Sequence, residues 1–146
     1  MRRYFIDSNI LVYANDRNAG EKQDRAIEVI GRCMKAGNGV ISIQVLQEYA
    51  NIALTKLMQD AAVVLRQLAL LDVFRIIAPS SAMVRRMVEI RSAYRISFWN
   101  AGIVAAAETA GCDCILSEDL NPGQFYAGVK VVNPLAPDFD PAELNK

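Results

Sequence analysis

The sequence predicts an α/β fold: a three-layer sandwich with a central, mostly parallel sheet of about five strands and helices on both faces. Three observations predict it. Short apolar runs alternate along the chain with longer stretches whose apolar residues recur at helical spacing. The short runs are continuously apolar rather than alternating, which is the pattern of strands covered on both sides. The length, 146 residues with 53% hydrophobic side chains, suits one domain with a sizeable core and is too short for two. A single domain over 1–146 is therefore expected.

The elements follow in order. Residues 3–7 read as a strand ending in an acid, and residues 20–36 as a helix with Ala26, Ile27, Val29, Ile30, Cys33 and Met34 on one stripe. Gly37-Asn38-Gly39 is a stop and turn signal before a second strand at 40–43. A helix is expected over 44–57, and another over 60–71 with Asp60 as its N-cap. A third strand spans 73–78 and ends at Pro79. Ser80 or Ser81 caps a helix to Tyr94, and a helix over 97–110, apolar nearly all round, should be buried up to Gly111. Strands at 114–117 and 129–132 close the sheet, and the proline-containing tail from Asn133 reads as irregular. No linker, repeat or low-complexity stretch interrupts this order.

Composition excludes several chemistries. The chain has no histidine, so a Ser-His-Asp triad, a Cys-His pair and a two-histidine nuclease are impossible. Any metal site must use oxygen ligands, which points to Mg²⁺ or Mn²⁺. Sixteen basic and sixteen acidic residues cancel, so bulk charge does not advertise a nucleic-acid partner. Three cysteines do not make a disulfide framework. Cys112 and Cys114 are expected as small buried apolar residues rather than a metal clip, which prefers wider spacing. No apolar run is long enough to cross a bilayer. Asp7 leaves no room for a signal-peptide core behind Arg2 and Arg3, which points to a cytoplasmic protein.

In doubly wound sheets, sites form beyond the carboxyl ends of the strands. Asp7 ends the first strand, and Glu118 and Asp119 end the fourth. One such acid is an ordinary cap or turn residue; two strands ending in acid, in a chain without histidine, point to a site. Glu48 lies one turn into the helix after strand two, on the margin of its apolar stripe, where it faces either a cleft or solvent. Asn100 stands among Phe98, Trp99, Ala101 and Ile103. It is expected to be buried and therefore satisfied, either by capping shared with Ser97 or by facing the acids. Trp99 is expected in the core, with base stacking as the functional alternative.

These motifs together resemble the PIN domain family. Phe5-Ile6-Asp7-Ser8-Asn9-Ile10-Leu11 is similar to the opening of such domains, and Ser42-x-Gln44-Val45-Leu46-x-Glu48 to their second motif. Residues 96–107 are similar to the third, except that the family has aspartate where this chain has Asn100. Ser117-Glu118-Asp119-Leu120 is similar to the fourth. The four occur in family order within residues 3–132, and the size is similar to VapC-type toxins of bacterial toxin–antitoxin pairs. The resemblance implies a metal-dependent ribonuclease. Asp7, Glu48 and Asp119 match the acidic quartet that binds Mg²⁺ or Mn²⁺, with Asn100 in the remaining place and Glu118 as an extra acid. Ser8, Asn9 and Ser97 would orient those ligands from behind. The resemblance also implies an RNA substrate, a small antitoxin partner and a homodimer.

An amide at position 100 keeps a carbonyl oxygen for a hard cation but removes one negative charge, so weakened or lost activity is expected. The alternative is a degenerate PIN-like module that binds antitoxin or RNA without cutting. A phosphotransfer protein with Asp7 as nucleophile is disfavoured, because the acid such phosphatases place two residues later is Asn9 here. Arg85, Arg86, Arg91 and Arg95 form a local basic excess with Glu89 the only acid between. Arg91 and Arg95 are the candidates to follow an RNA backbone.

Overall fold

In the computed structural model, which covers residues 1–146, the apolar runs become β1 (Tyr4–Ile6), β2 (Gly39–Ser42), β3 (Arg75–Ile77), β4 (Cys114–Leu116) and β6 (Val129–Val132), with a short β5 (Phe125–Tyr126) between the last two. The sheet order is β3-β2-β1-β4-β6-β5. All pairings are parallel except β5 with β6. The chain lays β2 and β3 on one side of β1 and returns to place β4 on the other, so strand order reverses between β1 and β4. Every residue of β1 and β4 is buried, as expected of strands covered on both faces.

The helices are α1 (Ser8–Ala14), α2 (Glu21–Ala36), α3 (Ile43–Thr55), α4 (Ala61–Leu71), α5 (Ser81–Tyr94) and α6 (Phe98–Thr109). Ser42 and Ser80 cap α3 and α5, accepting from the Val45 and Met83 amides at 3.2 and 3.1 Å. Arg86 of α5 clasps Glu108 of α6 through Nε and Nη2 at 2.8 and 2.9 Å, which ties the two helices together. No helix is long and apolar enough to cross a membrane.

Three elements depart from expectation. Residues 8–14 form a helix that the element order read from the sequence does not include; Asp7 itself caps it, accepting from the Ser8 amide at 2.7 Å. The extra strand β5 turns into β6 through Ala127 and Gly128, both at positive φ (49° and 82°). Tight hairpins require that conformation, but they usually advertise it with Asn-Gly or Asp-Gly, and alanine does not. The tail is tied down rather than free. Residues 141–145 form a 3₁₀ turn with Leu144 fully buried, and Arg25 donates to the carbonyls of Pro134 and Phe139 at 3.0 and 2.9 Å. Cys33, Cys112 and Cys114 are free and buried among apolar side chains. Burial pushes the Cys33 and Cys112 thiols up to about 12.

Candidate active site

The reversal of strand order opens a crevice at the carboxyl ends of β1 and β4, and the acids meet there. Asp7 leaves β1 only 3% exposed. Its Oδ1 accepts from the Ser8 amide at 2.7 Å, and its Oδ2 accepts from the Ser117 hydroxyl at 2.8 Å. The Ser8 hydroxyl lies 3.4 Å from Asp7 Oδ1 and donates at 3.2 Å to Glu48 Oε1, so one side chain bridges the first two acids. On the other side Ser117 accepts from the Asp119 amide at 3.1 Å. The Asn9 amide donates to Ser117 Oγ at 3.3 Å and to Asp119 Oδ2 at 3.2 Å. Asp7 is thus linked through Ser8 to Glu48 and through Ser117 and Asn9 to Asp119.

Burial dominates the electrostatics. It pushes the Asp7 carboxyl up to about 6, against the opposing hydrogen bonds from Ser117 and Ser8; the charges of Glu48 and Asp119 push the same way as burial. Glu48, half-buried on α3, is also raised, first by burial and then by Asp119, with Ser8 and Gln44 opposing. The acids therefore feel one another, yet no three of them converge closely enough to enclose an ion between them. The donor set itself fits a hard divalent cation. It is all oxygen, it carries excess negative charge, and Asp119 is exposed at the mouth.

Glu118 is held away from this group. Its two oxygens are taken by the Tyr13 hydroxyl at 2.7 Å and the Lys22 ammonium at 2.9 Å. Burial pushes its carboxyl up, but the hydrogen bonds from Tyr13 and Lys22 outweigh it and leave the group below the usual carboxylate range. Its backbone amide donates to Asn9 Oδ1 at 3.1 Å, so the turn after β4 is fixed by Asn9 and Tyr13 on one face of α1. The acid that the sequence offers as an addition to the quartet thus has both oxygens engaged by Tyr13 and Lys22.

The first turn of α6 also differs from expectation. Asn100 is half-exposed rather than buried. Its amide N–H donates to Ser97 Oγ at 3.1 Å, while its side chain makes no hydrogen bond to the acids. Ser97 therefore serves as the N-cap of α6. Trp99 is 62% exposed, because the buried run of α6 begins only at Ala101. Arg91 and Arg95 are exposed on the last turn and cap of α5 with no ion-pair partner, whereas Arg86 is committed to Glu108 and Arg85 donates to Ser81.

The sequence pattern of the PIN domain is matched over residues 4–127, a span that contains Asp7, Glu48, Asn100 and Asp119. The chain belongs to the PIN domain family. No curated protein matches its sequence. Solved structures share its architecture at low identity. A toxin–antitoxin complex from Klebsiella pneumoniae is 22% identical, with 90% of this chain and 97% of that one covered and a TM-score of 0.64. FitAcB from Neisseria gonorrhoeae is 18% identical over the same shares, also at 0.64. VapC20 of Mycobacterium tuberculosis, described as a toxin that cleaves the sarcin-ricin loop, is 17% identical, with 80% and 91% covered and a TM-score of 0.63.

Within this PIN domain the residue that sequence reasoning left out is Ser117. It was legible only as part of a motif, since a serine ending an apolar strand carries no periodic signal. Fully buried, it donates to one acid and accepts from the backbone of another. Ser117→Ala strips Asp7 Oδ2 of its donor and the Asp119 amide of its acceptor. Urea denaturation is expected to show a loss of about 1–3 kcal/mol. An unchanged midpoint would mean that water replaces both bonds.

Proposed function

We propose that this chain is a metal-dependent endoribonuclease of the VapC toxin kind, hydrolysing RNA phosphodiester bonds at Asp7, Glu48 and Asp119 and weakened by Asn100. The observation that carries the reading is the wiring of Asp7 to both other acids, through Ser8 on one side and Ser117 with Asn9 on the other, at the strand-order reversal. Structural supports alone do not explain three acids linked in one hydrogen-bond network where their charges act on one another.

Asp7, Glu48 and Asp119 would hold Mg²⁺ or Mn²⁺, with the Asn100 carbonyl oxygen as a neutral fourth donor. The bound ion supplies stabilisation of the charge that develops on the phosphate and activation of water. Ser8, Asn9 and Ser117 keep the carboxylate oxygens aimed into the crevice. Glu118, clasped by Tyr13 and Lys22, anchors the turn that carries Asp119. Arg91 and Arg95, the unpaired cations before α6, would take the RNA backbone. The whole chain acts as one domain, in the cytoplasm where its substrate is.

Two partners belong to this reading. A small antitoxin would lay an amphipathic segment into the apolar groove between α3 and α4, lined by Leu46, Ala50, Leu65 and Leu68. A second copy would pack on exposed apolar side chains of this chain, Val88 of α5 among them. Support for an antitoxin comes from the structural neighbours solved as toxin–antitoxin complexes. Asn100 favours a second reading, a module that keeps the antitoxin and RNA contacts without cutting. Mn²⁺-dependent cleavage of total RNA by this chain and by Asn100→Asp separates the two. The nuclease reading expects the Asn100→Asp protein to cut and this chain to cut weakly or not at all. Absence of cleavage by both, with both folded, rejects it.

A further inference from the structure

A pocket of about 320 Å³ lies between α3, α5 and α6. Met83, Met87, Phe98 and Trp99 wall it, and Gln44 and Gln47 of α3 belong to its lining. Ser42 and Ile77, the last residues of β2 and β3, also line it, so it lies along the same carboxyl edge of the sheet as the acids, two strands over from β4 and beside β1. Glu48 is one turn beyond Gln44 on the same helix.

The polar groups at this pocket are partly uncommitted. Gln44 Nε2 donates to the Trp99 carbonyl at 2.8 Å, which leaves its Oε1 as an open acceptor. That oxygen rests against Gly102, where any side chain would collide with it. Trp99 packs edge to face on Phe98, with ring centroids 5.3 Å apart, so the indole is held in place while remaining 62% exposed. Arg91 and Arg95, exposed and without ion-pair partners, stand just before it in the chain.

We propose that this pocket receives an unpaired nucleobase of the RNA strand whose backbone passes the acid cluster, with Trp99 stacking on the base and the Gln44 and Gln47 amides reading its edge. The proposal rests on the ribonuclease reading and adds a specificity site to it. Charge complementarity selects the occupant. An apolar slot with amide groups, whose Trp99 wall follows Arg95 by four residues and Arg91 by eight, matches a base attached to phosphates, whereas a purely apolar partner leaves those exposed arginines unused. The volume is at the lower end for small-ligand sites and suits one flat ring system rather than a helix.

Trp99 is the only tryptophan in the chain, so its fluorescence reports this pocket alone. The test is a titration with a single-stranded RNA dodecamer in EDTA, followed by Trp99 emission and by anisotropy of a labelled RNA, beside an abasic strand of the same length. The base-bearing strand is expected to quench Trp99 and the abasic strand is not. Trp99→Ala should weaken binding roughly 5- to 100-fold, while Trp99→Phe retains most of the affinity and controls for folding.

RNA binding without quenching, with Trp99→Ala unchanged, overturns the proposal. So does Trp99 emission that follows protein concentration in step with dimerisation and ignores RNA, which assigns the pocket to a second copy. Cleavage by Asn100→Asp with Mn²⁺ is scored separately. Cleavage with no Trp99 effect rejects the base pocket and leaves the nuclease reading standing, whereas folded proteins with Trp99 intact that neither bind the RNA nor, with Asn100→Asp and Mn²⁺, cleave it reject the two together.

Discussion

Asp7→Asn is expected to make the metal-free protein more stable and to abolish its response to divalent ions. Asp7 is 3% exposed and its carboxyl is pushed up to about 6. Holding that group ionised at pH 7 costs the fold about 3 kcal/mol relative to an ordinary carboxyl. Between about pH 4 and 6 the folded chain keeps a proton that the unfolded chain has released. Stability therefore falls as pH rises through that window and levels off above it. The amide removes the charge and with it the slope. Some of the gain is returned, because Ser8 donates to one carboxylate oxygen and Ser117 to the other, and Nδ2 replaces one of these two acceptors. A net gain of about 1–3 kcal/mol at pH 7 is expected from urea denaturation in EDTA, with little change at pH 4. A less stable variant that keeps the slope would show that Asp7 does not carry this strain. Stability purchased by losing the site's chemistry is the trade-off expected of a functional position.

Asn100→Asp should act in the opposite sense. It adds a fourth negative charge to a group whose members already raise one another, so the metal-free protein should lose about 1 kcal/mol. Divalent-ion affinity should rise at least as much as it changes when a supporting residue is altered, roughly 10- to 100-fold. RNA cleavage should rise by about two orders of magnitude, the scale on which removing one group that stabilises developing charge is felt. Calorimetric titration with Mn²⁺ reads the first effect, and a cleavage time course reads the second. Unchanged affinity would mean that the first turn of α6 does not approach the ion, in keeping with the absence of any hydrogen bond from the Asn100 side chain to the acids.

The fold was largely legible because strands buried on both faces are written as continuous apolar runs, and all five such runs form strands. β5 was not, because an Ala-Gly turn lacks the residues that normally mark a tight hairpin. Asp7, Glu48 and Asp119 could be picked out as acids at strand ends or on the margin of an apolar stripe. What spacing does not encode is which way a neighbour turns. Glu118 and Asp119 are adjacent, yet one is drawn to Lys22 and Tyr13 and the other to Asn9. Trp99 and Asn100 were misplaced for a related reason. A helix apolar all round gives no phase, and in α6 the small residues from Ala101 to Ala107 take the buried positions, which leaves the bulky first turn outside. That misplacement is informative, because it leaves a largely exposed indole on the wall of the pocket beside Gln44.

The acids are expected to act as one metal-dependent cutting site. The most direct measurement is cleavage of total RNA with Mn²⁺ by the Asn100→Asp protein, run beside the same protein carrying Asp119→Asn and beside an EDTA control. Asp119 is exposed at the mouth and caps no helix, so its loss should leave the fold intact. Cleavage by the first protein alone, abolished by Asp119→Asn and by EDTA, is the predicted result. Cleavage that survives either change, or a folded Asn100→Asp protein that binds Mn²⁺ and leaves RNA whole, would contradict it.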